Sequence, residues 1–301
     1  MLKYEIDGNH YAVIHNKDQG VTKYKKNKID VKESEMVFPS RVVCNYSGED
    51  TRIWDEYYKK ANEDYLDSIR TATSPRVLSM VYINKNMWKY ILLCMLATRE
   101  KNIAFESFLK EKLHIDSANV DAVELHFDTE KLKKWKTVNQ ITLFIRQLQS
   151  KLSGKDLISS KDPSDFNPTD DDAHILFNKF MAASQVISDL KIVFNGGVES
   201  MLLSEGEKKM MVILFILEAL ADERTLVLMD EPDSHIHVSR KTELKQMFLQ
   251  MEHRSNIITS HSPTLTASFE VNDKSSIIML DKDEKGNVRV IDKEIVNLVE
   301  R

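Results

Sequence analysis

Three short stretches of the chain hold residues whose types and spacing could do chemistry. In TLVLMDEPDSHIH, residues 225–237, an apolar run ends in the adjacent carboxylates Asp230 and Glu231. An acid pair at the tip of a buried strand lies where open α/β sheets place ligand-contacting groups. Asp230 has the hard oxygen ligands that Mg²⁺ prefers. Glu231 could polarise an attacking water. The plain alternative is a solvated acidic turn stopped by Pro232.

The second stretch is MLLSEGEKKMM, residues 201–211. Ser204 and Glu207 have the S-x-x-E spacing of a capping box just ahead of an apolar run. A helix start carrying Ser204, Glu205 and Gly206 offers backbone amides to an anion. A well-capped core helix accounts for the same residues. The third stretch is NIITSHSP, residues 256–263, where a short apolar run ends in Ser260-His261-Ser262. An imidazole there could donate to a phosphate oxygen or to a water, and a structural histidine is the simpler reading. His235 and His237, with Asp233, also suggest a metal by composition, but no third ligand has diagnostic spacing. Ser260-His261-Ser262 lacks the G-x-S-x-G elbow of a hydrolase.

The elements that must position these groups follow from periodicity. Residues 225–229 read as a short buried parallel strand, and residues 256–259 as another short strand. Residues 210–220 are apolar on nearly every face and predict a buried helix, and residues 239–252 predict another. Helix, strand, helix, strand at these lengths is an α/β crossover pattern.

Upstream, Tyr4, Ile6, Tyr11, Val13 and His15 alternate about Asp7-Gly8-Asn9 and predict a hairpin. The lysine run at residues 23–28 reads as a solvated loop, and residues 42–46 as a strand. Helical periodicity occupies residues 51–70, 87–98, 105–113 and 137–152, the last with Val138, Ile141, Phe144, Ile145 and Leu148 on one face. Residues 123–127 alternate like a strand. The polar stretch SGKDLISSKDPSDFNPTDDD, residues 153–172, reads as a linker or exposed loop. A helix is expected to open at Asp170–Asp172. A terminal hairpin is expected from residues 277–280 and 288–291.

Composition bounds the function. The chain has 301 residues, is 42% hydrophobic and 30% charged, and has a net charge of −5. A sizeable core can be buried, and the chain as a whole is no polyanion binder. No uninterrupted apolar window reaches membrane-spanning length, and the start shows no signal-peptide core. The two cysteines, Cys44 and Cys94, lie in apolar runs and read as buried free thiols. A cytoplasmic protein is expected.

The order of the three stretches resembles the ABC-type ATPases of the SMC, RecF and OLD-like families. LLSEGEKKM resembles their signature, LVLMDEP their Walker B strand, Ser234-His235-Ile236-His237 their D-loop and His261 their switch histidine. The E-P followed by H-x-H, and the S-H-S-P ending, are most similar to the AAA15/AAA21-type bacterial ATPases. The strong resemblance covers about residues 195–265, with a weaker echo in residues 39–52.

That resemblance implies an α/β ABC-ATPase-like P-loop fold that binds ATP and Mg²⁺ between two heads. Glu231 and His261 would be catalytic. Ser204, Glu205, Gly206 and Asp230 would contact the nucleotide, and Asp230 would also hold the metal. The implied partners are a second copy or homologous ATPase subunit, an effector nuclease and DNA. The implied setting is bacterial DNA repair or phage defence. The expected organisation is a partial N-terminal β lobe at residues 1–50, a mainly helical insertion at 51–155 and a C-terminal ATPase lobe at 156–301.

The chain departs from the family at the P-loop. Its eight glycines, at 8, 20, 48, 154, 196, 197, 206 and 286, form no G-x-x-x-x-G-K-[ST]. The sole Gly-Lys pair, Gly154-Lys155, is followed by Asp156. The glutamine expected near residues 46–49 is also not evident. The expectation is therefore an incomplete ATPase head, a truncated product. A scaffolding or regulatory subunit that has lost turnover is the alternative.

Overall fold

The computed structural model describes residues 2–16, 18–46, 52–76, 78–115, 119–194, 198–199, 203–249, 255–266 and 278–290. The chain opens with an antiparallel meander, β1 (Leu2–Ile6), β2 (Asn9–Asn16), β3 (Val21–Lys26) and β4 (Ile29–Val31). The expected first hairpin is present, with Leu2 opposite Val13 and Ile6 opposite Asn9. The lysine run is not a loop. Most of it is β3, because Thr22, Tyr24 and Lys26 alternate with Lys23 and Lys25 against β2.

Next come β5 (Arg41–Tyr46), a wide helical turn at Trp54–Tyr58, α1 (Lys59–Thr71), β6 (Met80–Ile83), α2 (Trp88–Ala97) and α3 (Ile103–Ser107). They are followed by β7 (Val120–Phe127), α4 (Thr129–Leu132), α5 (Gln140–Lys151) and β8 (Leu157–Ser160). Val138 precedes α5 and is exposed, so it does not join the buried face of Ile141, Phe144, Ile145 and Leu148. The 153–172 stretch is not a linker. It contributes β8 to a sheet and buries Ile158, Pro163 and Phe166. Gly154 turns the chain into β8 so tightly that a Cβ would lie 2.1 Å from the Leu157 carbonyl oxygen. That close packing accounts for the glycine of the lone Gly-Lys pair.

The remainder is α6 (Ala173–Ala183), β9 (Ile187–Phe194), β10 (Val198–Glu199), α7 (Glu205–Phe215), β11 (Thr225–Asp230), α8 (Val238–Leu249), β12 (Ser255–Thr259), α9 (Pro263–Thr266), β13 (Leu280–Lys282) and β14 (Val288–Val290). Asp172 stands at the N-cap of α6, so the three aspartates precede the helix instead of filling its first turn. β13 and β14 pair antiparallel as the terminal hairpin predicts, although Ile277 and Ile291 lie outside the described residues.

Two four-stranded sheets organise the body. One is antiparallel, in the order β10-β9-β7-β8, and the other parallel, in the order β12-β11-β5-β6. In the parallel sheet, Val43, Val227 and Met229 point into one extensive apolar core shared with α2, α6 and α7. Helix α7 buries every residue from Met210 to Phe215, as its all-round apolar sequence requires. Phe215 lies against Phe105 and Phe177 at 5.7 and 5.2 Å between ring centres. The other face of the sheet carries a smaller cluster, where Trp54 and Tyr58 cover Cys44 and Tyr82. Both cysteines are free and buried. No helix among the described residues is long and apolar enough to cross a membrane.

Candidate functional site

The parallel register places the carboxyl ends of β11 and β12 side by side, with Asp230 opposite Thr259. The Thr259 hydroxyl donates to Asp230 Oδ1 at 2.5 Å. The Glu231 amide extends the pairing by one step, donating to the Thr259 carbonyl at 2.9 Å. Glu231 then turns the chain sharply, with a left-handed φ of 46°. A non-glycine residue held there is strained, by about 1–3 kcal/mol, and such strain collects at functional turns. The turn aims the Glu231 carboxylate at His261, whose Nε2 lies 3.2 Å from Oε1. The acid pair and the histidine, Glu231 and His261 being thirty residues apart in sequence, thus meet at one end of the parallel sheet.

The turn after β11 is held from two sides. From α7, the Lys209 ammonium donates to the Glu231 carbonyl and to Ser234 Oγ. Burial pushes the Lys209 pKa down to about 8, against the opposing pull of Asp233, Glu231 and Asp230. From α8, the Lys241 ammonium donates to Asp233 Oδ2 at 2.9 Å and to Ser262 Oγ at 2.6 Å. Ser260 Oγ donates to Asp233 Oδ1 at 2.7 Å. Burial would raise the Asp233 carboxyl, but the bonds from Lys241 and Ser260 outweigh it and hold the pKa below the usual range.

The start of α7 closes the cluster. Ser204 and Glu207 form the expected capping box. The Ser204 amide and hydroxyl both donate to Glu207 Oε2, at 2.8 and 2.7 Å, and the Glu207 amide donates back to Ser204 Oγ at 3.3 Å. Gly206 meets protein backbone: a Cβ there would lie 2.9 Å from the His235 carbonyl oxygen. Its lack of a side chain lets α7 pack against the turn that follows β11. Glu205 stays at the surface, where a hydrogen bond from Lys208 at 2.9 Å holds its carboxyl below the usual range. Lys208 also lies 4.9 Å over the Trp88 ring at the start of α2.

The structure therefore brings Ser204, Glu205, Gly206, Asp230, Glu231 and His261 to one end of the parallel sheet. It does not gather His235 and His237 with Asp233 into a chelate. The Asp233 carboxylate is taken by Lys241 and Ser260, and His237 Nδ1 accepts from the Ser239 amide at the start of α8. Among the described residues no group of three or more His, Cys, Asp or Glu could hold a metal by itself. Of residues 46–49, where the missing glutamine was sought, residues 47–49 lie outside the described residues. Sequence reasoning missed Lys209, Lys241 and Thr259 as members of the site. The one available signal was a lysine, Lys209, adjoining an otherwise wholly apolar helix segment.

Three solved structures illustrate what the chain is similar to. A crystal structure of an Smc head bound to the C-winged helix domain of ScpA aligns over 94% of this chain and 73% of that one, at 12% identity and a TM-score of 0.34. The recombination mediator RecF with ATPγS aligns over 97% and 78%, at 15% identity and a TM-score of 0.33. An Smc head with an extended coiled coil, bound to the C-terminal domain of ScpA from Pyrococcus furiosus, aligns over 97% and 74%, at 15% identity and a TM-score of 0.31. These overlaps are loose, and the family rests on sequence instead. No curated protein matches the chain. Residues 101–267 match the AAA_21 family, described as "AAA domain, putative AbiEii toxin, Type IV TA system". Because that match spans more than half of the 301 residues and contains the whole strand-end cluster, the chain belongs to this family of AAA-domain proteins.

Proposed function

We propose that this chain is the signature, Walker B and switch portion of an ATP-hydrolysing head that works as a dimer. The observation that carries the proposal is the Glu231–His261 contact of 3.2 Å at the carboxyl end of a parallel sheet, beside Asp230. In this reading Glu231 orients the attacking water and takes its proton, which is the part of the reaction a positioned carboxylate does well. His261 contacts the γ-phosphate and keeps the Glu231 carboxylate turned inward. Asp230 and the Thr259 hydroxyl are oxygen donors that suit Mg²⁺, an ion that keeps several waters and needs few protein ligands. Bound there, Mg²⁺ would neutralise charge building on the phosphate oxygens.

Ser204, Glu205 and Gly206 would face nucleotide held mainly by a second subunit. The phosphate-cradling G-x-x-x-x-G-K-[ST] is not found in these 301 residues and in this proposal comes from outside them. An antiphage or repair role beside an effector nuclease, acting on DNA, is the setting we infer from the family resemblance.

The test is turnover in the full chain with any segment or subunit that supplies a P-loop. Glu231→Gln keeps the size and hydrogen bonding of the side chain but removes the base. It should lower ATP hydrolysis by about 100-fold or more while ATP binding and the ATP-dependent dimer persist in sedimentation. Hydrolysis by Glu231→Gln at the native rate would remove Glu231 from the reaction. Ser204→Asp forms a second arm, since aspartate caps a helix as well as serine does. A purely local cap tolerates the change. A Ser204 facing a partner's phosphate does not, because like charges meet, and ATP-dependent dimerisation is lost at an unchanged melting temperature.

A further inference from the structure

His261 projects into solvent, with 94% of its side chain exposed, so packing around the imidazole does not set its place. Its position comes from the backbone on either side. Both flanking residues are serines, and both hydroxyls engage one ion pair. Ser260 Oγ donates to Asp233 Oδ1 at 2.7 Å, and Ser262 Oγ accepts from Lys241 Nζ at 2.6 Å. The ion pair itself closes at 2.9 Å, and the Ser262 amide donates to Ser260 Oγ at 3.0 Å. The Asp233 side chain is only 5% exposed and that of Lys241 only 17%. Asp233 belongs to the same turn as Glu231, two residues away, whereas Lys241 comes from α8.

We propose that Asp233 and Lys241 are positioning residues that fix His261 against Glu231. They join the loop after β12 to the turn after β11, so that the two groups meet at 3.2 Å. A buried ion pair is a poor source of net stability, because desolvation offsets most of its attraction. It is a good source of fixed geometry, since every bond in this one points at a residue adjoining His261 or in the Glu231 turn. Neither residue touches a reacting atom. What His261 and Glu231 do chemically rests on the ATPase reading above, but their mutual placement does not.

The experiment follows the His261 ring resonance at neutral pH in the full chain labelled on histidine, with His261→Gln supplying the assignment. Glu231→Gln should displace that resonance in the native background. In a Lys241→Met background the same change should displace it far less, because the two groups no longer meet. Lys241→Arg, which can still donate to Asp233 and Ser262, should restore most of the displacement. Under turnover conditions Lys241→Met should lower kcat roughly 10- to 100-fold with KM within about twofold, the pattern of a misplaced catalytic group.

Should Lys241→Met fail to fold, the Ser260→Ala, Ser262→Ala double variant leaves the ion pair intact and carries the same comparison. Undiminished coupling in the folded variants would overturn the proposal. If the native protein proves unable to hydrolyse ATP, the functional reading falls, while the resonance measurement still decides the positioning role.

Discussion

The two four-stranded sheets of this protein bury different things. In the antiparallel sheet every buried side chain of β7, β8 and β9 is apolar: Val120, Val123, Leu125, Phe127, Ile158, Ile187, Leu190 and Ile192. The strands alternate, and their inward residues join the core beneath α2, α5 and α6. The parallel sheet buries Asn45 and Thr225 within its strands and Asp233 just past the end of β11. Burying polar groups is costly unless each is bonded. Thr225 lies at the amino end of β11, whereas Asn45 and Asp233 lie at the carboxyl end, where the sheet sacrifices stability to fix geometry. The antiparallel sheet serves the core alone, whereas the parallel sheet shares that core and also sets distances between charged groups.

The comparison can be broken most forcefully in the antiparallel sheet. Leu125 is fully buried in β7, and Leu125→Ala should cost about 2–5 kcal/mol of stability. Denaturant unfolding measures this, and turnover per folded molecule should be unchanged. Equal damage to turnover per folded molecule would show that the sheets do not divide their labour in this way.

A smaller effect is expected at Gly206. Alanine there gains about 1 kcal/mol of helix propensity over glycine. Its Cβ, however, would meet the His235 carbonyl oxygen at 2.9 Å, and backbone cannot swing aside. Overpacking of this kind costs about 1–3 kcal/mol, so Gly206→Ala should be net destabilising by roughly 1 kcal/mol and should slow turnover by shifting the Glu231 turn. A rise in melting temperature would show that α7 and the turn part easily.

The last expectation is a pH dependence. Lys209 has a folded pKa of about 8, below the usual 10.5, because burial penalises its charge. Between those values the unfolded chain binds more protons than the folded one, so this group makes stability rise as pH increases from about 8 to 10.5. Below pH 8 the penalty is present in full. Lys209→Met should lack that rise, so the rise should appear in the difference between native and variant unfolding curves. Parallel curves would mean that Lys209 is solvated after all.

What the sequence disclosed follows the same division. The crossover pattern of the last third was readable because β11 and the Met210–Leu220 run are continuous and apolar, which only burial explains, although β12 proved to be a half-exposed edge strand with Ile257 53% exposed. The capping box at Ser204 was readable because it is local. β3 was hidden because Lys23, Lys25 and Lys26 imitate a solvated charge run, although Thr22 and Tyr24 alternate with them. β8 was hidden among Gly154, Pro163 and Pro168, with Ile158 and Phe166 the few apolar anchors. Asp230, Glu231 and His261 stood out by type and position in the motif. The partners Lys209, Lys241 and Thr259 did not, because a lysine or threonine becomes informative only once the fold places something opposite it. Even Gly206, singled out as an opening for an anion, proved to face the backbone of His235.

The contact between Lys208 and Trp88 gives the molecule a built-in optical gauge. The indole is nearly buried at the start of α2, with an ammonium 4.9 Å from its ring, on the helix whose first turn carries Ser204 and Gly206. A cation held over an indole perturbs its excited state, so any withdrawal of α7 from the neighbouring helices must alter the colour and yield of Trp88 emission. A rearrangement of α7 of the kind the proposed ATPase cycle calls for could then be watched without attaching a dye, with Trp54 and Trp135 as the background to be removed.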